Sequence, residues 1–319
     1  MIYFLSLIFQ MNLMGFEINV VWTVLIFFTV YMSIFSFMIN VLEPITPKII
    51  SDAFGYGKTT NSNLNGLVRL IQVPKSWFLH FYIFAVIFMA FLLSMVLKVV
   101  VWGQTLPAYM STFMDFFTTE SRMTGTTPEG ILLAMILMNI QCLRRLYECL
   151  YINVNSGSKM NILHYIVGFA HYFCTGVGYL SESPGFSSHF QFVHWINVMP
   201  QWSNFQWKFF LYIGLFAFAW YQQFQTHKIF ASLKKYYVGT HSVPHGGLFT
   251  YVSCPHYLCE ILIYLSLALI LGLRHQTAWL IFGWVLVNQV IAGLMSHWWY
   301  RKNFKNYPTQ RKAVFPYLL

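Results

Sequence analysis

Charged side chains are scarce in this 319-residue chain, and acidic side chains are the scarcest of all. Only 9% of the residues are charged and nine are acidic, whereas 57% are hydrophobic. A soluble globular domain carries about 25% charged residues, so the composition excludes an ordinary soluble protein. Aromatic residues make up 20% of the chain, which is typical of proteins that place side chains at membrane interfaces. The composition therefore predicts a polytopic membrane protein.

Familiar nucleotide-binding and metal-binding motifs are also missing. The stretch Phe54–Thr60 (FGYGKTT) ends like a phosphate-binding loop, but a P-loop needs a glycine where Asp52 stands. No G-x-G-x-x-G follows a predicted strand, which excludes a Rossmann nucleotide site. The segment Cys254–Glu260 (CPHYLCE) holds metal-ligand residue types, but its spacing is not that of a zinc site and no second cluster accompanies it. We therefore predict no metal.

Several stretches are apolar and long enough to cross a bilayer, for which about 20 residues are needed. They lie at residues 18–40, 77–101, 129–153, 160–180, 207–226, 256–273 and 277–298. The fold prediction is therefore an all-α bundle of seven transmembrane helices.

The lysines and arginines orient these spans. Most of the 19 cations fall in loops on one side, and only Arg122, Lys208 and Arg274 fall on the other. Cytoplasmic loops hold the excess of Lys and Arg, so we expect a lumenal N-terminus and a cytosolic C-terminus. The net charge of +10 is thus concentrated at the cytosolic face, either as ordinary topology or as a basic vestibule for a polyanionic ligand.

Two of the nine acidic residues, Glu148 and Glu260, lie within or at the mouth of predicted spans. A charge at the bilayer centre costs roughly 2.5–3.5 kcal/mol on insertion scales. Helical spacing places His256 on the face of Glu260, and Arg144 and Arg145 on the face of Glu148. Two interpretations stay open: internal pairs that hold helices together, or the lining of a polar pocket open to the cytosol.

Several motifs resemble those of the steroid 5α-reductase family, in the family's order and spacing. The family segments are Val243–Ser253 (VPHGGLFTYVS) with Glu260, the ending Trp299–Pro316 (WY…FKNYP…RKAVFP), and Gly55–Lys58 (GYGK). Within the family, further segments are similar to the polyprenol reductase branch: Gln72–Phe78 (QVPKSWF), His80–Tyr82 (HFY), Leu143–Tyr151 (LRRLYECLY) and Tyr251–Leu258 (YVSCPHYL).

The resemblance implies a seven-span bundle that holds NADPH in a cytosol-facing cavity and reduces a carbon–carbon double bond conjugated to a carbonyl group. Residues 1–155 would form the substrate side and residues 156–319 the NADPH side. For the polyprenol branch it implies saturation of the α-isoprene unit of polyprenol or polyprenal, on the way to dolichol for protein N-glycosylation. It also implies a polyprenyl lipid substrate and a place in the endoplasmic reticulum membrane.

The resemblance further implies which residues contact NADPH. The positions carried across are Asn153, His227, Lys234, His256, Glu260, Tyr264, His297 and Tyr300. Of these, His256 replaces an asparagine of the steroid enzymes. Two of their arginines are Ser242 and Ala292 here, so we expect the phosphates to bind through Lys234, Lys235 or Lys305.

The catalytic residues of the steroid enzymes are not retained. Their tyrosine and glutamate align with Cys142 and Gln72, neither of which is a good proton donor, and this disfavours a steroid substrate. The chemistry needs a donor aimed at the carbonyl oxygen. Our hypothesis is that Tyr147, or the amide of Gln72, donates, supported by Arg145 or the arginine before it, with Glu148 fixing the arginine.

Two other functions stay open. One is a reductase of the same family that acts on steroids or on trans-2-enoyl-CoA. The other is a seven-span receptor or transporter, although a receptor does not require the basic, patterned tail from Tyr300 onwards.

Overall fold

The computed structural model describes residues 17–41, 66–120, 122–153, 157–186, 207–237 and 241–318. Its helices are α1 (Val20–Val41), α2 (Gly66–Leu70), α3 (Phe78–Val96), α4 (Ala108–Thr118), α5 (Pro128–Tyr147), α6 (Ile162–Ser181), α7 (Lys208–Tyr236), α8 (Pro255–Leu271) and α9 (Gln276–Asn303). Two strands are β1 (Gln72–Pro74) and β2 (Lys159–Asn161). Helices α3 and α5 run on into π-helical turns at Leu97–Val101 and Glu148–Ile152.

Among the described residues, four helical segments are long and apolar enough to cross a membrane by length and composition. They are Val20–Ile39, Lys75–Val101, Pro128–Ile152 and Gln276–Asn303, and Pro255–Leu271 is a shorter apolar helix. The prediction of a largely helical, polytopic membrane protein is confirmed, whereas the number of seven spans stays a prediction. The GYGK segment at 55–58 lies outside the described residues.

A small antiparallel sheet and the short helix α4 were not predicted. Strand β1 pairs with β2 so that Gln72 lies opposite Asn161 and Pro74 opposite Lys159. The pairing joins the segments that lead into α3 and α6. Strands of three residues are too short for an alternating pattern to be recognised in the sequence, which needs four residues or more.

Helix α5 has strong end signals, and these set where its polar residues lie. Thr127 caps the amino end by accepting a hydrogen bond from the Gly130 N–H at 3.1 Å, and Pro128 occupies the first turn. Arg144 and Arg145 stand in the last turn, where the helix dipole favours positive charge. The π-helical turn then follows directly, so Glu148 is held beside both arginines.

The start of α9 is anchored by a second capping network. Glu182 accepts from the Thr277 N–H at 2.8 Å, and the Trp22 indole donates to the Thr277 hydroxyl at 2.7 Å. His275 Nδ1 accepts from the Ala278 N–H at 3.2 Å. Burial lowers the pKa of His275, although the Glu182 carboxylate lies 3.7 Å away. His275 Nδ1 thus serves as the helix cap, while Nε2 lies 3.0 Å from the Tyr179 carbonyl oxygen.

The apolar core lies where α3, α5, α6, α8 and α9 meet. Its fully buried side chains include Met89, Met135, Tyr179, Leu267 and Ile281. Polar side chains from α3, α5, α7 and α8 come together inside this otherwise apolar bundle.

Candidate active site

Arg144, Arg145 and Glu148 form a largely buried ionic group at the carboxyl end of α5. An Arg144 guanidinium nitrogen lies 2.9 Å from Glu148 Oε1, and Arg145 pairs with Glu148 Oε2. The Glu148 side chain is fully buried. Removing one partner of such a group would leave an uncompensated buried charge, which is why buried charges occur in pairs. The spacing predicted from the sequence does bring these three residues together.

Helix α7 completes this group from the opposite side with Gln223 and His227. His227 Nδ1 lies 2.7 Å from Glu148 Oε2 and 2.9 Å from an Arg145 guanidinium nitrogen. It can donate to the first or accept from the second, according to its tautomer. Gln223 is buried, and its carbonyl oxygen accepts from Gln141 Nε2 at 3.2 Å as well as from Arg144.

Helix α8 contributes Glu260, whose carboxylate is held by amides. Gln223 Nε2 donates to Glu260 Oε2, and Gln141 Nε2 lies 3.4 Å from the same oxygen. His256 shares a helix face with Glu260, but the hydrogen bonds to this carboxylate come from the two glutamines. The ring of His256 instead packs edge-on against Phe230, with the ring centroids 5.0 Å apart.

Tyr82 on α3 also belongs to this site and was not predicted. Arg145 donates to Tyr82 Oη at 2.7 Å, and its guanidinium carbon lies 5.1 Å from the centre of the Tyr82 ring. The tyrosine is buried. Together these residues form what we call the buried polar cluster: Tyr82, Gln141, Arg144, Arg145, Glu148, Gln223, His227 and Glu260.

Three residues of the cluster were not predicted from the sequence, and all three, Tyr82, Gln141 and Gln223, are polar but uncharged. A census of acidic residues finds only Glu148 and Glu260. A search for amides and hydroxyls inside apolar spans would have found the others, because buried polar groups need hydrogen-bond partners.

The proposed donors Gln72 and Tyr147 lie outside the cluster. Tyr147 is 48% exposed, and its ring lies near Tyr151 and Phe224. Gln72 is half-buried in strand β1. None of the hydrogen bonds that join the cluster, within the described part of the chain, involves either residue. Their catalytic roles stay predictions.

The residues expected to contact the cofactor lie in different parts of the structure. Asn153 and Lys305 are exposed. His297 and Tyr300 are buried beneath the carboxyl-terminal tail: His297 Nδ1 lies 2.6 Å from Ser253 Oγ, and the Tyr300 ring stacks on Tyr307 with the centroids 5.5 Å apart. These four residues are not part of the buried polar cluster, and their contacts with a cofactor stay predictions.

Lys234 lies on the face of α7 that also carries Gln223 and His227, since the spacings of four and seven residues repeat with the helix. Its charge repels that of Lys75, which lies in the turn that leads into α3. With a rise of 1.5 Å per residue, Lys234 is about 16 Å along the helix from Gln223. The cluster therefore lies beside the middle of α7, and this pair of cations lies near its carboxyl end.

An apolar cavity of about 570 Å³ opens elsewhere, between α1 and α9. It is lined by Ser33, Ser36, Phe37, Leu286, Val287, Val290, Ile291, Leu294, Trp298 and Phe315. None of the predicted site residues lines it, so it is not the expected cytosol-facing cofactor cavity, which stays a prediction.

Comparison with known proteins assigns this arrangement to a family. The family model described as 3-oxo-5-alpha-steroid 4-dehydrogenase matches residues 158–319. The polyprenal reductase of Drosophila melanogaster is 32% identical over 300 residues, which cover 89% of this chain and 89% of that protein. The polyprenal reductase of Caenorhabditis elegans is 32% identical over 282 residues, or 85% and 88% of the two chains. That of Homo sapiens is 30% identical over 279 residues, or 85% and 86%.

Proposed function

The chain belongs to the 3-oxo-5-alpha-steroid 4-dehydrogenase (steroid 5α-reductase) family of oxidoreductases, and on that premise we propose that it reduces polyprenal. The reaction would saturate the double bond of the α-isoprene unit, next to the aldehyde, on the way to dolichol. The observation that carries this proposal is the similarity to polyprenal reductases, since it extends over 89% of both chains in the Drosophila melanogaster pair.

The buried polar cluster supports this chemistry. When hydride adds to the β-carbon of an unsaturated aldehyde, negative charge develops on the carbonyl oxygen, and a preorganised donor must meet it. Tyr82 Oη already accepts from Arg145, so its own hydrogen is left to be donated. Glu148 holds Arg145 in place. We therefore place the donor to the carbonyl oxygen at Tyr82, with Arg145 as its positioning residue.

The residues along α7 fit a nicotinamide dinucleotide, and we propose NADPH. In the cluster, the buried Nε–H of Arg144 has no acceptor within the described residues, so the cluster has a donor to spare. Near the carboxyl end of α7, Lys234 and Lys75 offer the positive charge that phosphates require. His227 and Glu260 belong to the cluster and His256 lies beside it, and all three would contact the cofactor. Bound NADPH would supply the hydride.

We further propose the membrane arrangement that the loop charges favour. Seven helices would cross the endoplasmic reticulum membrane, with a lumenal N-terminus, a cytosolic C-terminus and a cofactor cavity open to the cytosol. A polyprenyl tail is as apolar as the lipid itself, so it can lie in the bilayer while its aldehyde enters between helices to reach the cluster.

A substrate comparison with purified protein tests the proposed function. The protein in detergent is incubated with NADPH and, separately, with polyprenal, polyprenol and testosterone, and the products are analysed by mass spectrometry. We expect polyprenal to gain two hydrogens. Reduction of testosterone but not polyprenal would assign the protein to steroids, and reduction of none of the three would contradict the proposal.

A further inference from the structure

A second line of hydrogen bonds crosses the bundle beside the cluster, through Trp284, His171 and Tyr264. The Trp284 indole Nε1 lies 3.2 Å from His171 Nδ1, and His171 Nε2 lies 2.6 Å from Tyr264 Oη. Tyr264 is only 1% exposed and Trp284 3%. Three different helices, α9, α6 and α8, therefore supply a continuous polar line through apolar surroundings.

The direction of this line is fixed by its first member. An indole N–H can only donate, so His171 Nδ1 must accept and carries no hydrogen. The hydrogen of the neutral ring is then on Nε2, which donates to the Tyr264 oxygen. That oxygen is already accepting, and Tyr264 Oη forms no other hydrogen bond within the described part of the chain. Its own hydrogen is consequently free to be donated away from His171.

Tyr264 lies close to the buried polar cluster. It stands one helical turn after Glu260 on α8, on the same face. Its hydrogen-bond partner His171 has its ring 5.1 Å from the Tyr172 ring, centroid to centroid. The Tyr172 ring in turn lies 6.1 Å from the Tyr82 ring, centroid to centroid. Two tyrosines that each have a hydrogen to donate, Tyr82 on α3 and Tyr264 on α8, thus lie in the same part of the bundle.

We propose that Tyr264, which the resemblance assigns to the NADPH contacts, is instead the catalytic proton donor to the α-carbon and that His171 and Trp284 are its positioning residues. This inference rests on the proposed function. Hydride addition forms a C–H bond at the β-carbon and moves the electrons of the C=C bond into an enolate, whose oxygen Tyr82 stabilises. The proton of Tyr264 Oη then forms the C–H bond at the α-carbon. The His171 Nε2–H stabilises the phenolate that remains, and water reprotonates it after the product leaves.

Two donors are required because the two sites of the enolate are different atoms. A hydrogen bond to the oxygen stabilises charge during hydride addition, whereas completing the reaction requires transfer of a proton to carbon. Tyr82 is held by a guanidinium and Tyr264 by a neutral imidazole. The charged partner suits the first role, and the fixed histidine tautomer suits the second because it aims a hydrogen at one face of the substrate.

Reduction of polyprenal in D₂O with NADPH tests this assignment. The aldehyde product is trapped at once with borohydride, and the configuration of the deuterium at the α-carbon is determined by NMR of a chiral ester. The wild-type protein should place one deuterium in a single configuration. For Tyr264→Phe we expect kcat to fall about 10²-fold or more, and the residual product to carry deuterium in both configurations because water supplies the proton from either face.

Two further variants separate a catalytic from a structural effect. Tyr165→Phe is the matched control, since Tyr165 Oη bonds another histidine, His80, at 3.1 Å, away from the cluster; it should retain wild-type kcat and configuration. Trp284→Phe removes the donor that fixes the His171 tautomer. We expect it to lower kcat and erode the single configuration while KM is unchanged.

The outcomes distinguish this inference from the proposed function. A wild-type protein that does not reduce polyprenal would contradict the proposed function. With an active wild type, retention of a single configuration and a kcat within two-fold in Tyr264→Phe would overturn the role of Tyr264. If Tyr264→Phe does not fold, judged by size exclusion and thermal unfolding, Trp284→Phe decides, and wild-type kcat and configuration in that variant overturn the inference.

Discussion

Arg145 is the residue on which the buried polar cluster depends. Its guanidinium contacts Glu148 on its own helix, His227 on α7 and Tyr82 on α3. A planar guanidinium with five N–H donors suits such a position, whereas the single ammonium of lysine does not. Arg145 thereby connects α3, α5 and α7. Its positive charge orients the Tyr82 hydroxyl and is itself paired with the Glu148 carboxylate.

Tyr82→Phe tests the role of this tyrosine. The change removes only the hydroxyl, and losing one donor to a developing oxyanion typically lowers kcat roughly 10²–10³-fold. We expect that loss in steady-state reduction of polyprenal, with a smaller effect on KM. Tyr147→Phe is the informative comparison, because the 48% exposed Tyr147 lies outside the cluster. A large loss in Tyr147→Phe with an active Tyr82→Phe would return the donor role to Tyr147.

The local part of this site could be predicted and the tertiary part could not. The contacts of Glu148 with both arginines follow from helical spacing alone. The contacts of Arg145 with Tyr82 and of Arg144 with Gln223 join positions 63 and 79 residues apart, and no periodicity within one helix reveals them. That Glu260 and His256 line one site stays a prediction, and the hydrogen bonds to the Glu260 carboxylate come from buried glutamines of α5 and α7.

The carboxyl-terminal tail packs closely against helix α9. A Cβ atom added at Gly293 would clash with Val314 Cγ2, so the tail packs directly on the helix backbone. Ser253 Oγ lies 2.6 Å from both His297 Nδ1 and Tyr307 Oη, which closes the tail over α9. The expected cofactor contacts His297 and Tyr300 lie beneath this tail.

Gly293→Ala should therefore destabilise the protein. Overpacking of a filled site typically costs about 1–3 kcal/mol, and we expect a lower midpoint of thermal unfolding in detergent. Gly283→Ala is the matched control on the same helix, because no atom of the described residues lies within 4 Å of a Cβ added there. Equal midpoints for the two variants would contradict the packing of the tail described above.

Element boundaries were predicted less well where helices leave the apolar stretch. The predicted span at 207–226 ends at the last apolar residues, but α7 continues to Tyr236. The extension carries His227 and Lys234. The length of the apolar stretch alone does not predict that these two residues are helical. The β1–β2 pair was also not predicted. Its six residues are stabilised by pairing between two segments distant in the sequence, so neither segment shows a local pattern of its own.

At the scale of the whole molecule, two lines of polar side chains lie close together inside an apolar bundle. One line runs along α7 from the cluster to Lys234, and we propose that it binds the cofactor. The other runs from Trp284 through His171 to Tyr264, and we propose that it supplies a proton. The composition predicted the bundle and the resemblance predicted the chemistry, but the positions of these two lines depend on contacts between helices that are distant in the sequence.

Transfer of a labelled hydride tests the central claim most directly. Purified protein is given polyprenal and NADPH that carries deuterium at the transferable position of the nicotinamide, and the product is analysed by mass spectrometry and NMR. The account predicts one deuterium at the β-carbon of the saturated aldehyde. Deuterium at the aldehyde carbon would show reduction of the carbonyl group, and a product without deuterium would show that the hydride does not come from the cofactor. Either result would contradict the account.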